Sequence, residues 1–228
     1  MVTNGTASVR TVRLTDGAEI AIRPIEPDDK ALLQASFDRL SQESRYRRFL
    51  SPKNRLTPRE LAFLTEVDHH DHEAVVALHT KREEGIGVAR YVRLDDPEVA
   101  EVAVVVADDW QHRGVGTALL AELVGRARPA GIRRFSAVMD GSNRPMIELL
   151  EGRGLVVSRG RDGGTVEMEI ELPPQEGIND SLASALRAVA AGQLSMAFML
   201  PSGLVLSNRF WARVYGHEAD AASKGDGA

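Results

Sequence analysis

The sequence predicts an α/β (α+β) chain, short strands alternating with helices around one main domain, and three observations predict it. "EVAVVVAD", Glu101 to Asp108, is an almost unbroken apolar run with β-branched residues, followed by a glycine turn and a Leu-rich helix. Upstream of it, "EAVVALHT" and "IGVARYVRL" read with it as a three-strand meander, and "LVVSRG-RDGG-TVEMEIEL" closes the region as a hairpin.

From the start of the chain, Val9 to Leu14 and Ala18 to Arg23 alternate around "TDGA", a hairpin with Asp16-Gly17 at its turn. "EPDDKALLQASFDRL" places Leu32, Leu33, Phe37 and Leu40 at helical spacing, with acids in its first turn. "LTPRELAFLTEV" is a second helix, with Thr57 as N-cap, Pro58 at the first helical position and Glu60 completing a capping box. "DHHDH" (Asp68 to His72) reads as a loop before the meander. After the meander and the glycine turn, the Leu-rich helix closes near Pro129 and Gly131. Arg133 to Asp140 is another strand, and "NRPMIELLEGRG" a short helix ending at Gly152 or Gly154, with Met146, Leu149 and Leu150 as its core side.

After Pro173-Pro174 the texture changes. Ile178 to Ala191 suggests a small amphipathic helix, Leu194 to Tyr215 is apolar without clear period, and the tail from about residue 216 reads as disordered. The expected organisation is a domain over residues 9–172 and a partly helical C-terminal extension over 173–228, capping the domain, mediating self-association or covering the acceptor site.

Composition narrows the function classes. The 28 Lys+Arg against 33 Asp+Glu give a net charge of −5, which disfavours general nucleic-acid binding. There is no cysteine, so no disulfide, thiolate metal site or cysteine nucleophile is available. No signal peptide is visible, and the apolar tract "LSMAFMLPSGLVL" is broken by Pro201 and Gly203, short of the roughly 20 residues a membrane span needs. A cytoplasmic protein without membrane partners is expected. "DHHDH" is read as a solvated loop rather than a metal site, because consecutive residues do not easily point three ligands at one ion.

"WQHRGVGTALLAEL" runs from Trp110 to Leu123, with Leu119, Leu120, Leu123 and Val124 on one helical face. Glycines at a strand–helix junction let backbone approach a ligand, and the first helical turn leaves amide N–H groups unpaired. With the helix dipole, those amides suit a phosphate or pyrophosphate.

Gln111, Arg113-Gly114 and Gly116 fit the Gln/Arg-x-x-Gly-x-Gly/Ala signature, and in this context the chain resembles the Gcn5-related N-acetyltransferases, the GNAT superfamily, over about Thr11 to Leu172. "SRYRRFLSP", "HEAVVALH", "GVARYVRL" and "AEVAVVVADDWQHRGVGTALL" resemble more narrowly the catalytic domain of actinobacterial Pat-type protein-lysine acetyltransferases. The resemblance implies the GNAT fold: a mixed, mostly antiparallel, twisted sheet with helices on both faces. In several of those relatives a cyclic-nucleotide domain precedes the catalytic one. This chain begins almost at the first strand, so that regulation is expected to be absent or supplied otherwise.

The resemblance also implies a cosubstrate, acetyl-CoA, and its contacts. Val104, Val105 and Val106 would pair through their backbone with the pantetheine arm. His112, Arg113, Gly114, Val115, Gly116 and Thr117 would supply amides around the pyrophosphate, and Asn143 would contact the CoA arm. The family pattern places a tyrosine acid seven residues after that asparagine, where this chain has Leu150. Either another group protonates the departing thiolate, Tyr46 and Tyr91 being candidates, or none needs to.

Transfer to a lysine requires the neutral amine, which costs roughly 4–5 kcal/mol at pH 7 from a reference pKa near 10.4. A base lowers that cost, and Glu101, opening a strand with apolar neighbours, is the candidate, since burial raises a carboxyl pKa. The relatives have a catalytic glutamate in the matching "AEVA" context; the alternative is a solvated strand-end acid. A backbone amide near Val106 would polarise the thioester carbonyl. "RYRRF" (Arg45 to Phe49) lines the acceptor groove or forms a basic helix end. The expected reaction is direct transfer of acetyl to a protein lysine, acyl-CoA synthetases being the implied target class. The rivals are acetylation of a small amine and a non-catalytic acetyl-CoA-binding regulator.

Overall fold

A computed structural model describes residues 9–14, 16–49, 53–82, 84–140, 156–162 and 164–172. The expected helix at 143–154, with Asn143, Met146, Leu149 and Leu150, lies outside the described residues, as does all of 173–228.

The strands are β1 (Arg10–Arg13), β2 (Glu19–Pro24), β3 (His72–His79), β4 (Glu84–Arg93), β5 (Val99–Val106), β6 (Arg134–Asp140), β7 (Val156–Asp162) and β8 (Thr165–Glu171). The helices are α1 (Lys30–Asp38), α2 (Gln42–Phe49), α3 (Pro58–Thr65) and α4 (Val115–Ala127). The strands form one sheet in the order β1-β2-β3-β4-β5-β6-β8-β7. Every pairing is antiparallel except β5 with β6. The mixed, mostly antiparallel sheet expected from the sequence is therefore present.

Local chemistry sets the element ends. Gly17 takes φ 85° at the β1–β2 turn, where the Ala18 N–H donates to Asp16 Oδ1 at 2.9 Å. At α3 the capping box forms as read: the Glu60 N–H donates to Thr57 Oγ1 at 3.2 Å, and the Thr57 N–H to Glu60 Oε2 at 2.8 Å. The sequence marks α2 only as the alternative of a basic helix end at Arg45 to Phe49, because Tyr46 and Phe49 alone in "QESRYRRF" are too few to mark a period. Its start is set by Ser41, whose Oγ accepts from the Ser44 N–H at 3.1 Å.

Period-two alternation sends the strand side chains to two faces. One face packs on α4 through Val75, Ala89, Val102, Val104, Val106, Val115, Leu119 and Leu123. The other packs on α1 and α3 through Val76, Val88, Leu33, Phe37 and Leu64. Helices thus cover both faces, and β4 shows how closely. A register shift opposite Ala77/Leu78 pairs Ala77 with Gly87 and Leu78 with Gly85, leaving Ile86 as the extra residue. A Cβ on Gly85 would meet Ser36 and Leu32 of α1, and one on Gly87 would lie 2.9 Å from Leu119 Cδ1 and 3.0 Å from the Val105 carbonyl. The missing side chains let a helix approach from each side.

Candidate functional site

The glycine turn is built around two left-handed residues. β5 ends at Val106, a 3-10 turn covers Asp108–Trp110, and the chain then passes His112 (φ 61°) and Gly114 (φ 92°) into α4. Glycine takes that conformation freely, whereas for His112 it carries strain. The first bond within α4 runs from the Ala118 N–H to the Gly114 carbonyl at 3.0 Å. The amides of Val115, Gly116 and Thr117 therefore precede the first N–H bonded within the helix and sit at the positive end of the helix dipole. Gly116 is buried beside them and, as a glycine, adds no side chain to that surface.

Side chains brace this turn rather than fill it. Gln111 Nε2 donates to the Val106 carbonyl at 3.2 Å and to Asp108 Oδ1 at 2.9 Å. Arg113 stacks its guanidinium 3.9 Å from the centre of the Trp110 ring and donates from Nε to Asp16 Oδ2 at 2.5 Å. The Ala18 N–H, and after it Arg113, hold the Asp16 carboxyl below its ordinary range. The Arg113 charge is thereby engaged by the β1–β2 hairpin.

β5 forms one rim of an opening. It pairs with β4 from Ala100 to Val106, but with β6 only at Val99, Ala100 and Glu101 against Arg134, Phe135 and Ser136. From Val102 to Val106 its β6-side edge has no ladder partner among the described residues, and that edge runs straight to the α4 turn. Val104 and Val106 face α4, while Val105 faces α1 and α3. All three expected strand positions lie on this rim.

Glu101 stands where the two strands part, opposite Val92 of β4 and Ser136 of β6. It is 3% exposed, so the solvated strand-end alternative is set aside. The same face carries a buried polar pair nearby. Arg90 donates from Nη1 to His72 Nε2 at 3.0 Å and from Nη2 to the Leu64 carbonyl at 3.0 Å. Burial first, and the Arg90 charge second, push the His72 pKa down to about 3, so the imidazole is neutral and accepts. Between this face and α1 and α3 lies a cavity of about 50 Å³, lined by Phe37, Leu56, Leu64, Val88, Arg90 and Val105 among others. An arginine inside the apolar "GVARYVRL" and a histidine opening "HEAVVALH" were the available signals for the Arg90–His72 pair; the sequence reading passed over both.

Other expected residues stand elsewhere. Tyr91 is on the α4 face, opposite to Glu101, with its hydroxyl donating to the His70 carbonyl at 3.0 Å. Burial, and after it Glu73, raise its pKa to about 12, and its hydroxyl is held on the His70 carbonyl rather than on the Glu101 face. The Tyr46 side chain lies outside the described residues. In "DHHDH", Asp68 Oδ1 accepts from the backbone N–H groups of His70, Asp71 and His72 at 2.8–2.9 Å, which shapes the loop. His72 leaves that loop to open β3. Among the described residues no group of three His, Cys, Asp or Glu is placed to hold a metal ion.

A model of the acetyltransferase (GNAT) family matches residues 32–155. An acetyltransferase of Pseudomonas aeruginosa is 33% identical over 156 residues, 67% of this chain and 83% of its own. Acetyltransferase Pat of Mycolicibacterium smegmatis is 32% identical over 190 residues, which are 78% of this chain but only 56% of that relative's length. The solved GNAT domain of S. lividans PAT has a TM-score of 0.65 at 33% identity, covering 72% of this chain and 97% of that domain. A Salmonella typhimurium structure described with its cofactor acetyl-CoA shares the fold at 20% identity, TM-score 0.53, over 68% of this chain and 95% of its own. The chain belongs to the acetyltransferase (GNAT) family.

Proposed function

We propose that this acetyltransferase transfers acetyl from acetyl-CoA to the side-chain amine of a protein lysine, with Glu101 as general base. The observation that carries the reading is the parting of β5 from β6: the open edge runs from the buried Glu101 to the amide-rich start of α4. An extended arm fits such an edge by pairing with backbone, and its pyrophosphate then meets the helix N-terminus. In this reading Val104, Val105 and Val106 hold the pantetheine arm and the amides from His112 to Thr117 hold the pyrophosphate. Asn143, outside the described residues, is assigned to the CoA arm on the family pattern.

The chemistry asked of the chain is direct transfer. Glu101, directly or through one water, takes a proton from the lysine ammonium, and the neutral nitrogen attacks the thioester carbonyl carbon. A β5 backbone N–H near Val106 stabilises the developing oxyanion. The C–S bond then breaks, CoA leaves as the thiolate, and the second proton of the attacking nitrogen passes to that thiolate or to solvent, which leaves the neutral amide. With Leu150 at the usual tyrosine position and Tyr91 facing away, departure without a dedicated side-chain acid is the reading adopted.

A protein acceptor is supported by the likeness to the Pat acetyltransferases, and acyl-CoA synthetases are the target class that likeness suggests. Leu150 gives footing to a second reading, a non-catalytic acetyl-CoA sensor. The domain is taken as residues 9–172, since Leu172 is buried and its N–H donates to the Arg133 carbonyl at 2.8 Å, and 173–228 as an extension. Two variants test the site. Glu101→Gln is expected to keep acetyl-CoA affinity and lose turnover about 10²-fold or more. Gly116→Glu, which sets a negative charge against the pyrophosphate, should weaken acetyl-CoA binding about 10²-fold or more by calorimetry; undiminished binding would sink the turn assignment.

A further inference from the structure

We propose that Asp108 is a positioning residue that ties the start of α2 to the pyrophosphate turn, so that filling the turn sets the placement of α2. The inference rests on the acetyl-CoA reading above. Asp108 opens the 3-10 turn between β5 and the glycine turn, and its two carboxylate oxygens face two elements at once. Oδ2 accepts from the Ser41 N–H at 2.7 Å, the residue that caps α2. Oδ1 accepts from the Ser44 hydroxyl and from Gln111 Nε2 at 2.9 Å. Gln111 in turn reaches the Val106 carbonyl, so one side-chain chain links the end of β5, the turn and the first turn of α2.

The chemistry makes the link strong. A carboxylate accepting several N–H and O–H bonds holds them about twice as strongly as a neutral acceptor, and Ser44 is buried at 4% exposure. Elsewhere α2 is tied to α1 through Arg45, which donates from Nη2 to the Asp38 carbonyl at 2.8 Å. Of these attachments, the Asp108 contact is the one that joins α2 to the glycine turn. A ligand that immobilises the amides from Val115 to Thr117 also fixes Gln111 and Asp108, and through them Ser41 and Ser44. The α2 stretch "QESRYRRF", a candidate acceptor-groove element, is then ordered as the cosubstrate arrives.

Amide hydrogen exchange over residues 41–49 of the full chain, with and without acetyl-CoA, reads this coupling. In the unaltered chain acetyl-CoA is expected to slow exchange there about tenfold; in Asp108→Ala, which still binds acetyl-CoA, the slowing falls below about twofold. Asp108→Asn keeps an oxygen for the Ser41 N–H and is expected to restore most of the response. Should Asp108→Ala fail to fold, Ser44→Ala removes one of the two α2 contacts and is expected to cut the slowing to about threefold. Equal slowing in the unaltered chain and in the Asp108→Ala or Ser44→Ala variant would overturn the proposal. No acetyl-CoA binding by the unaltered chain, seen before any exchange is read, would overturn the functional reading and this inference together.

Discussion

Glu101 and His72 occupy the same face of the sheet, and both are buried. A buried carboxylate is an unusual choice in an apolar strand, and accepting a proton is the role proposed for Glu101. For His72, burial beside a cation selects the neutral ring. Its pKa falls from 6.5 to about 3 on folding, so between those values the unfolded chain binds a proton that the folded chain does not. The stability contributed by this group is therefore complete above about pH 6.5 and is lost as pH falls toward 3. His72→Gln, which keeps an acceptor for Arg90, should flatten the fall in stability between pH 6.5 and 4 by close to one proton, about 1.4 kcal/mol per pH unit. Urea titrations at a series of pH values check this, and an unchanged slope would contradict a neutral buried His72. Arg113 belongs to the same scale. Because its guanidinium is engaged by Asp16 and Trp110, Arg113→Ala should change acetyl-CoA affinity less than about fivefold, far less than Gly116→Glu.

At the scale of elements, the site depends on two close approaches: α4 on β4 and β5, and α2 on the turn after β5. Gly87 makes the first possible. Gly87→Ala places a methyl against the Val105 carbonyl and Leu119, and is expected to cost about 1–3 kcal/mol, read as a Tm lower by several degrees. An unchanged Tm would mean that the α4 contact is looser than described. What the sequence made legible follows the strength of local signals. The Asp16-Gly17 hairpin, the Thr57–Glu60 box and the apolar runs of β3, β4 and β5 each carry their own chemistry in adjacent residues. The α2 helix does not, because Tyr46 and Phe49 are its only aromatic residues among polar ones and its tether comes from Asp108, far along the chain. For the same reason the glycine turn could be read as an anion site, whereas the pairing of Arg113 with Asp16 and of Arg90 with His72 could not: both join distant segments.

For the whole molecule, β3 to β6, the four helices from Lys30 to Ala127 and the open β5 edge lie almost entirely within the residues that the GNAT family model matches. No described helix is long and apolar enough to cross a membrane. If residues 9–172 form the catalytic unit, a chain ending at Leu172 should keep acetyl-CoA affinity within about threefold, measured by calorimetry. A large loss would instead make 173–228 part of the cosubstrate site. The small-amine and sensor readings differ from the protein-lysine reading only in what happens to the acetyl group. The most direct test is therefore mass spectrometry of an acyl-CoA synthetase from the same organism, incubated with acetyl-CoA and this protein. Acetylation of a synthetase lysine, lost with Glu101→Gln, is expected. Turnover on a small amine alone, or tight acetyl-CoA binding with no acetylated product, would contradict it.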